Sequence, residues 1–127
     1  AGTRQLVSEE YANTLETMRS LLGKAALHFA SSTVIGLVAV NARLTKEEVN
    51  KVAQMAQDGI ARAVRPAHTM FDGDTIFALA TGTKRADVNL IGAYAAEVVA
   101  QAIVRAAQAA ERAGGLPAWK DRVQTGI

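Results

Sequence analysis

Two aspartates, Asp72 and Asp74, are separated only by Gly73 and stand directly before an apolar run. In extended backbone, residues i and i+2 face the same side, about 6.6 Å apart at about 3.3 Å of rise per residue. Both carboxylates could then serve one site as an acid–base or orienting pair. The more common use of such a triplet is an ordinary Asp-Gly turn, and the motif alone favours the turn. A calcium loop is not expected, because apolar residues occupy the positions of the next oxygen ligands.

Three hydroxyl residues, Ser31, Ser32 and Thr33, precede a second apolar run, VIGLVAV. Such residues often do no more than end a strand. If the chain were cut before Thr33, however, that residue would carry both a hydroxyl and an α-amine. An α-amine ordinarily has a pKa of about 7.7 to 8.0, so it can accept the proton of the hydroxyl at neutral pH. The residues alone leave both interpretations open.

The remaining candidates for chemistry give weaker signals. His68 lies in the loop before the aspartates, and we expect it to form hydrogen bonds within that loop rather than act as a ligand or base. The glycines lack the spacing of a dinucleotide or phosphate-binding loop, and no G-x-S-x-G elbow is present. We therefore expect neither a cofactor nor a metal.

Composition limits the possible classes of protein. A chain of 127 residues, half of them apolar and 20% charged, can form one globular domain. The absence of cysteine excludes disulfides and thiol catalysis, and agrees with a cytoplasmic location. The small excess of basic residues, 14 against 12 acidic ones, gives no support to nucleic-acid binding. No apolar run approaches the length of a membrane span, so we expect no membrane partner.

The hydrophobic periodicity predicts the order helix, strand, helix, strand, helix, which is an α/β pattern. The predicted elements are a helix over 8–29, a strand over 33–41, a helix from a capping box at Thr45 to Pro66, a strand over 75–81, a turn over 82–85, and a helix from Asp87 to about 113. The packing face of the last helix is predicted to consist of Ile91, Ala95, Val98, Ala102 and Ala106. Two strands make a poor sheet by themselves, so we expect another chain to complete the sheet and the protein to be a homo-oligomer.

Two long segments, STVIGLVAVNARLT and DGIARAVRPAHTMFDGDTIFALATG, resemble the carboxy-terminal part of the aminopeptidase/amidase family of N-terminal nucleophile hydrolases. This family includes D-aminopeptidases, β-peptidyl aminopeptidases and the nylon-oligomer hydrolase, and the resemblance covers roughly residues 32–115. It implies a layered α/β/α fold and a precursor that cleaves itself before a serine or threonine. Thr33 matches that nucleophile, and Asp72 and Asp74 match the acidic pair of the nylon-hydrolase branch.

The resemblance further implies an amide-bond hydrolase that acts on a peptide or other amide through an acyl-enzyme. Two features depart from the family: Ser32 replaces the common asparagine or glycine before the cleavage site, and the large amino-terminal portion is absent. We therefore expect 1–127 to be a single domain, a subunit fragment or a shortened relative, inactive alone, in which 1–32 precede the cleavage site and 33–127 carry the nucleophile. The expected partner is the missing amino-terminal subunit or portion of the same precursor.

Two alternatives to this interpretation follow from the same residues. The first is an unprocessed, non-catalytic relative that serves as an oligomerising or binding module, since an intact Ser32–Thr33 bond leaves Thr33 without a free amine. The second is an acyltransferase of the ornithine acetyltransferase type, which also uses a threonine nucleophile. We rank it last, because the nucleophile motif of that family is not seen around Thr33.

Overall fold

The computed structural model describes residues 33–124. The helix expected over 8–29 and the residue before the expected cleavage site, Ser32, lie outside the described residues. The described elements are β1 (Ile35–Ala42), α1 (Lys46–Ala63), β2 (Thr75–Lys84), α2 (Val88–Ala109) and α3 (Trp119–Gln124). The α/β class and the predicted succession of strand, helix, strand and helix are confirmed for this part of the chain.

The strands β1 and β2 form a parallel two-stranded sheet, with α1 as the crossover between them. Their register runs from Ile35 opposite Thr75 to Val40 opposite Ala80. Because the strands are parallel, the residues that precede each strand lie at the same end of the sheet. This topology brings the 33–34 segment next to the 73–74 segment.

The predicted turn at 82–85 is wrong, since β2 continues to Lys84. A register shift after Val40 leaves Ala42 opposite Lys84, so the ladder passes an irregularity and does not end there. Gly82 lies directly against the carbonyl of Asn41, where a Cβ would overlap that carbonyl. A glycine at such a close approach marks a bulge inside a strand as readily as a turn.

The starts of both long helices agree with the capping residues read from the sequence. Thr45 Oγ1 accepts a hydrogen bond from the Glu48 N–H at 3.3 Å, and Glu48 Oε2 accepts one from the Thr45 N–H at 2.8 Å, which completes the predicted capping box. Asp87 Oδ1 accepts from the N–H groups of Asn89 and Leu90 at the start of α2. The end of α2 differs from the prediction: the helix stops at Ala109, and Gly114 and Gly115 form a later turn with positive φ.

The core lies between one face of the sheet and the helix pair α1–α2. Its buried members are Val52, Ala56, Ile60, Ile76, Ala95 and Val99. The face of α2 that packs inward consists of Gly92, Ala95, Ala96 and Val99, so the predicted stripe is wrong at Val98, Ala102 and Ala106, which are exposed. The observed row is rotated by about one residue, and its smaller side chains allow α2 to approach α1 closely.

The other face of the sheet has no cover within residues 33–124. Its large apolar side chains are exposed, with 74% of Ile35, 63% of Leu37 and 57% of Phe77 accessible. The prediction that both faces of the strands are buried therefore does not hold within the described part of the chain. On the inward face of the same strands, Ile76 is buried, and Val38 and Ala78 are partly buried against the core.

One helix among the described residues, α2, is long and apolar enough to cross a membrane by length and composition, with 22 residues and a mean hydropathy of 1.4. The expectation that no apolar run approaches a membrane span is therefore wrong for α2 by this measure, while the expectation of no membrane partner stays a prediction. A single helix of this kind is weak evidence for a membrane span, and α2 packs against α1 along its Gly92–Val99 row, with 22% of the apolar window buried. Its composition alone therefore identifies no membrane segment.

Candidate active site

Residues 33–34 and 73–75 are joined by hydrogen bonds at the start of the sheet. The Val34 N–H donates to Asp74 Oδ1 at 2.8 Å, a contact between residues 40 positions apart in sequence. The Thr75 N–H donates to the Val34 carbonyl, also at 2.8 Å. Thr33 and Asp74 therefore lie at the same end of the sheet, as the parallel strand order led us to expect. Their catalytic roles stay a prediction.

Gly73 lies beneath the side chain of Thr33, which is exposed. A Cβ built on Gly73 would stand 3.0 Å from Thr33 Oγ1 and 3.8 Å from its Cγ2. Ordinary van der Waals contact begins at about 3.5 Å, so any side chain at position 73 would press on the hydroxyl. The glycine of the Asp-Gly-Asp triplet thus leaves space for the Thr33 hydroxyl.

Asp72 has different partners from Asp74. Its N–H donates to the Thr69 carbonyl at 3.1 Å, and its Oδ2 accepts from the Thr69 N–H at 2.7 Å. These two bonds close the turn from Thr69 to Asp72. Asp72 therefore takes part in a turn, whereas Asp74 bonds to the residue after Thr33, and the catalytic role of each aspartate stays a prediction.

The model of peptidase family S58 matches residues 3–118 of the chain. The chain belongs to peptidase family S58. This assignment confirms the resemblance to the aminopeptidase and nylon-oligomer hydrolase group of N-terminal nucleophile hydrolases.

Relatives of this S58 chain include aminopeptidases and an amide-oligomer hydrolase. It is 44% identical over 105 residues to an uncharacterized aminopeptidase of Mycobacterium leprae (strain TN), covering 71% of this chain and 29% of that protein. It is 35% identical over 127 residues to an uncharacterized aminopeptidase of Mycobacterium tuberculosis (strain ATCC 25618 / H37Rv), covering 88% and 36%. It is 32% identical over 92 residues to a 6-aminohexanoate-oligomer endohydrolase of Kocuria sp. (strain KY2), covering 62% and 26%. The matches thus span between about a quarter and about a third of the length of these relatives.

One residue that contacts the Asp74 segment was missed by the sequence analysis. Gln57, on α1, donates from Nε2 to the backbone carbonyl of Asp74 at 3.3 Å. It is half-buried and next to the fully buried Ala56. A polar side chain beside the buried stripe of a helix is usually hydrogen-bonded, and this was the signal available in the sequence.

The loop residue His68 lies apart from these contacts. It is exposed and has a φ of 59°, a value that is uncommon outside glycine. Its expected loop hydrogen bond is not seen among the described residues. Over the same part of the chain, no group of three histidine, cysteine, aspartate or glutamate side chains could hold a metal ion.

Proposed function

We propose that this S58 chain carries the nucleophile of an amide-bond hydrolase, and that the nucleophile is Thr33 after cleavage of the Ser32–Thr33 bond. The observation that supports this most directly is the bond from the Val34 N–H to Asp74 Oδ1. It places a carboxylate next to the residue that would become the new amino terminus. The match to a peptidase family and the names of the relatives agree with this chemistry.

In the proposed reaction, the free amine of Thr33 accepts the proton of Oγ1 as Oγ1 attacks the carbonyl carbon of the substrate amide. The tetrahedral intermediate collapses when the amide nitrogen takes the proton from the Thr33 ammonium and leaves as an amine. The remaining ester on Oγ1 is the acyl-enzyme. A water molecule then attacks this ester, releases the carboxylic acid and restores the hydroxyl and amine.

Asp74 would assist this cycle through its charge. A carboxylate has two oxygens and about four lone-pair positions, so the bond from Val34 leaves capacity for a second donor. The negative charge stabilises the ammonium that forms on Thr33 during attack. The donors that stabilise the oxyanion, and most of the substrate pocket, would come from polypeptide outside this chain.

Self-cleavage would use the same hydroxyl on a nearer carbonyl. In this step Oγ1 of Thr33 attacks the carbonyl carbon of Ser32, the peptide nitrogen of Thr33 leaves as the new α-amine, and water hydrolyses the resulting ester. The role of Gly73 is the same in both reactions, because the hydroxyl must be free to move toward either carbonyl.

The substrate class we propose is a peptide or a linear amide oligomer. The relatives are named as aminopeptidases and as 6-aminohexanoate-oligomer endohydrolases, and both names describe cleavage of an unactivated amide bond. The exposed apolar side chains of the sheet, Ile35, Leu37 and Phe77, support a partner that covers this face. We propose that this partner is the amino-terminal portion of the same precursor, within a cytoplasmic homo-oligomer.

The second candidate function is a non-catalytic module that assembles through the same open face. The exposed apolar side chains favour it as strongly as they favour an enzyme subunit, because both require a partner. The two candidate functions differ in what they require of Thr33. The enzyme requires its hydroxyl and a free amine, whereas a non-catalytic module requires neither.

The test is a comparison of variants at Thr33 in the whole protein in which this chain occurs. Intact mass spectrometry should find fragments divided before Thr33, and amino-acid p-nitroanilides or a 6-aminohexanoate oligomer should be hydrolysed. Thr33→Ala should abolish both activities while the fold is kept, and Thr33→Ser should retain part of each. Thr83→Ala, an exposed position on β2, is the matched control. Unchanged hydrolysis in Thr33→Ala would reject the enzyme proposal and would favour the non-catalytic module.

A further inference from the structure

We infer that Gln57 is a positioning residue of this site: its side-chain amide holds the Asp74 segment in place, and through it the start of β1 at Thr33. The inference rests on the proposed function for its kinetic consequences. Its structural part, the coupling of α1 to the start of β1, can be tested independently of any activity.

The contacts form a continuous path from the helix to the nucleophile. Gln57 Nε2 donates to the carbonyl of Asp74 at 3.3 Å, although 17 residues separate the two. The carboxylate of the same aspartate accepts the Val34 N–H at 2.8 Å. Val34 directly follows Thr33, so each bond in this path fixes the next group along it.

The helix end of this path is buried in the core, and the site end lies at the start of the sheet. Ala56 and Ile60, on either side of Gln57 in α1, are fully buried in the core. Asp74, in contrast, precedes the first residue of β2 and follows Gly73, which has more backbone freedom than any other residue type. The Asp74 carbonyl and the Thr75 N–H belong to one peptide unit. Gln57 therefore holds the carbonyl of the peptide whose N–H donates to Val34, at the point where β2 begins to pair with β1.

Such a tether matters because nucleophilic attack depends on placement. A displacement of about 1 Å at a reacting group can reduce a rate by about 100-fold. The Thr33 hydroxyl lies against Gly73, so a shift of the 73–74 backbone changes both its support and the position of the Asp74 carboxylate. Substrate binding, which the proposed function assigns mostly to polypeptide outside this chain, is expected to change little.

The experiment compares two glutamines of α1 in the whole protein. Gln57→Leu removes the donor at similar size, and Gln54→Leu makes the same change at an exposed position of the helix. We expect Gln57→Leu to lower kcat by about 10- to 100-fold with KM nearly constant, and Gln54→Leu to leave both unchanged. Circular dichroism and thermal unfolding establish that each variant is folded.

A second pair of variants gives a pH signature that loss of packing would not give. Gln57→Glu is nearly isosteric, but its ionised carboxylate cannot donate to the Asp74 carbonyl, whereas the protonated form can. Free glutamate titrates near pH 4.3, so the ratio of Gln57→Glu to unmodified activity should rise as the pH is lowered toward 5 and below. Gln54→Glu carries the same added charge, and its ratio should stay flat.

Hydrogen exchange tests the coupling without any turnover. In the uncleaved Thr33→Ala background, the Val34 amide lies inside the chain, and its exchange can be followed by mass spectrometry of overlapping peptides. Gln57→Leu should accelerate exchange at Val34 by about 10-fold or more, because the Asp74 carboxylate that accepts the Val34 N–H would no longer be held in place. Gln54→Leu should leave this exchange unchanged.

The outcomes separate this inference from the proposed function. If the unmodified protein neither cleaves itself nor hydrolyses amides, the proposed function fails, and exchange at Val34 alone decides the coupling. If Thr33-dependent activity is present but Gln57→Leu matches Gln54→Leu, the positioning role is rejected. Loss of activity in Gln57→Leu without faster exchange at Val34 also overturns it, because the tether would then not reach β1.

Discussion

The start of β2 and the turn before it each hold one aspartate, and the two regions use the carboxylate differently. In the turn, the Asp72 carboxylate accepts a hydrogen bond from the Thr69 N–H, so its partner lies in the same turn. At the start of β2, Asp74 bonds across the sheet to Val34, next to the proposed nucleophile. The difference shows that two carboxylates only two positions apart can bond to different segments of the chain.

Asp74→Asn should have the largest effect within this pair. Asparagine keeps an oxygen that can accept the Val34 N–H, so the strand start is retained, while the negative charge is lost. We expect the rate of amide hydrolysis to fall by about 10²- to 10⁴-fold, the range typical of an acid–base or orienting group. Steady-state kinetics and thermal unfolding on the same preparation measure the two effects separately.

Asp87→Asn is the matched control for that substitution. Asp87 caps α2 away from the site, and asparagine caps a helix about as well as aspartate. Activity and unfolding temperature should both stay close to the unmodified values. If Asp74→Asn behaves like Asp87→Asn, the charge at position 74 has no part in the reaction and the comparison between the two regions loses its functional meaning.

The sequence predicted the features of this region that depend on neighbouring residues. The capping box at Thr45 and the cap at Asp87 are local patterns, and both are observed. The meeting of Thr33 with the Asp-Gly-Asp segment was also predictable, because the α-helix between two apolar runs indicates parallel strands that start at the same end. Each of these inferences uses either a few adjacent residues or the order of elements.

The features that were missed depend on contacts that no local pattern records. The extended backbone assumed through residue 72 is not observed, because the turn from Thr69 ends only at that residue. That both aspartates face one site stays a prediction. Gln57 could not be chosen, since many polar residues lie beside the buried stripe of α1 and only the tertiary structure shows which one meets Asp74. Gly82 was assigned to a turn because glycine marks turns and bulges alike.

Gly73→Ala should have an effect between those of Asp74→Asn and Asp72→Asn. It tests the residue that separates the two aspartates. The new methyl would stand 3.0 Å from Thr33 Oγ1, so the hydroxyl or the backbone must shift by a few tenths of an ångström. We expect self-cleavage and hydrolysis to slow by about 10-fold, since small displacements of a reacting group are costly. Time courses of cleavage by mass spectrometry, with thermal unfolding as the control for stability, measure this.

Rates in Gly73→Ala that equal those of the unmodified protein would contradict the close contact beneath Thr33. The proposed nucleophile would then have more freedom at the strand start than its contacts indicate. In that case the 73–74 backbone would not control the position of the Thr33 hydroxyl. Gln57, which acts through that backbone, would then have less influence on the rate.

Asp72→Asn should have the smallest effect, because asparagine can still accept the Thr69 N–H and close the same turn. The bond loses its charge assistance, and hydrogen bonds to charged groups contribute about 1 kcal/mol more than neutral ones. We therefore expect a decrease of about 1 kcal/mol in the free energy of unfolding and a rate within about three-fold of the unmodified protein. Denaturant unfolding and steady-state kinetics measure both quantities. A loss of rate as large as that of Asp74→Asn, without a larger loss of stability, would show that Asp72 also acts on Thr33, and the two regions would then form one acidic pair after all.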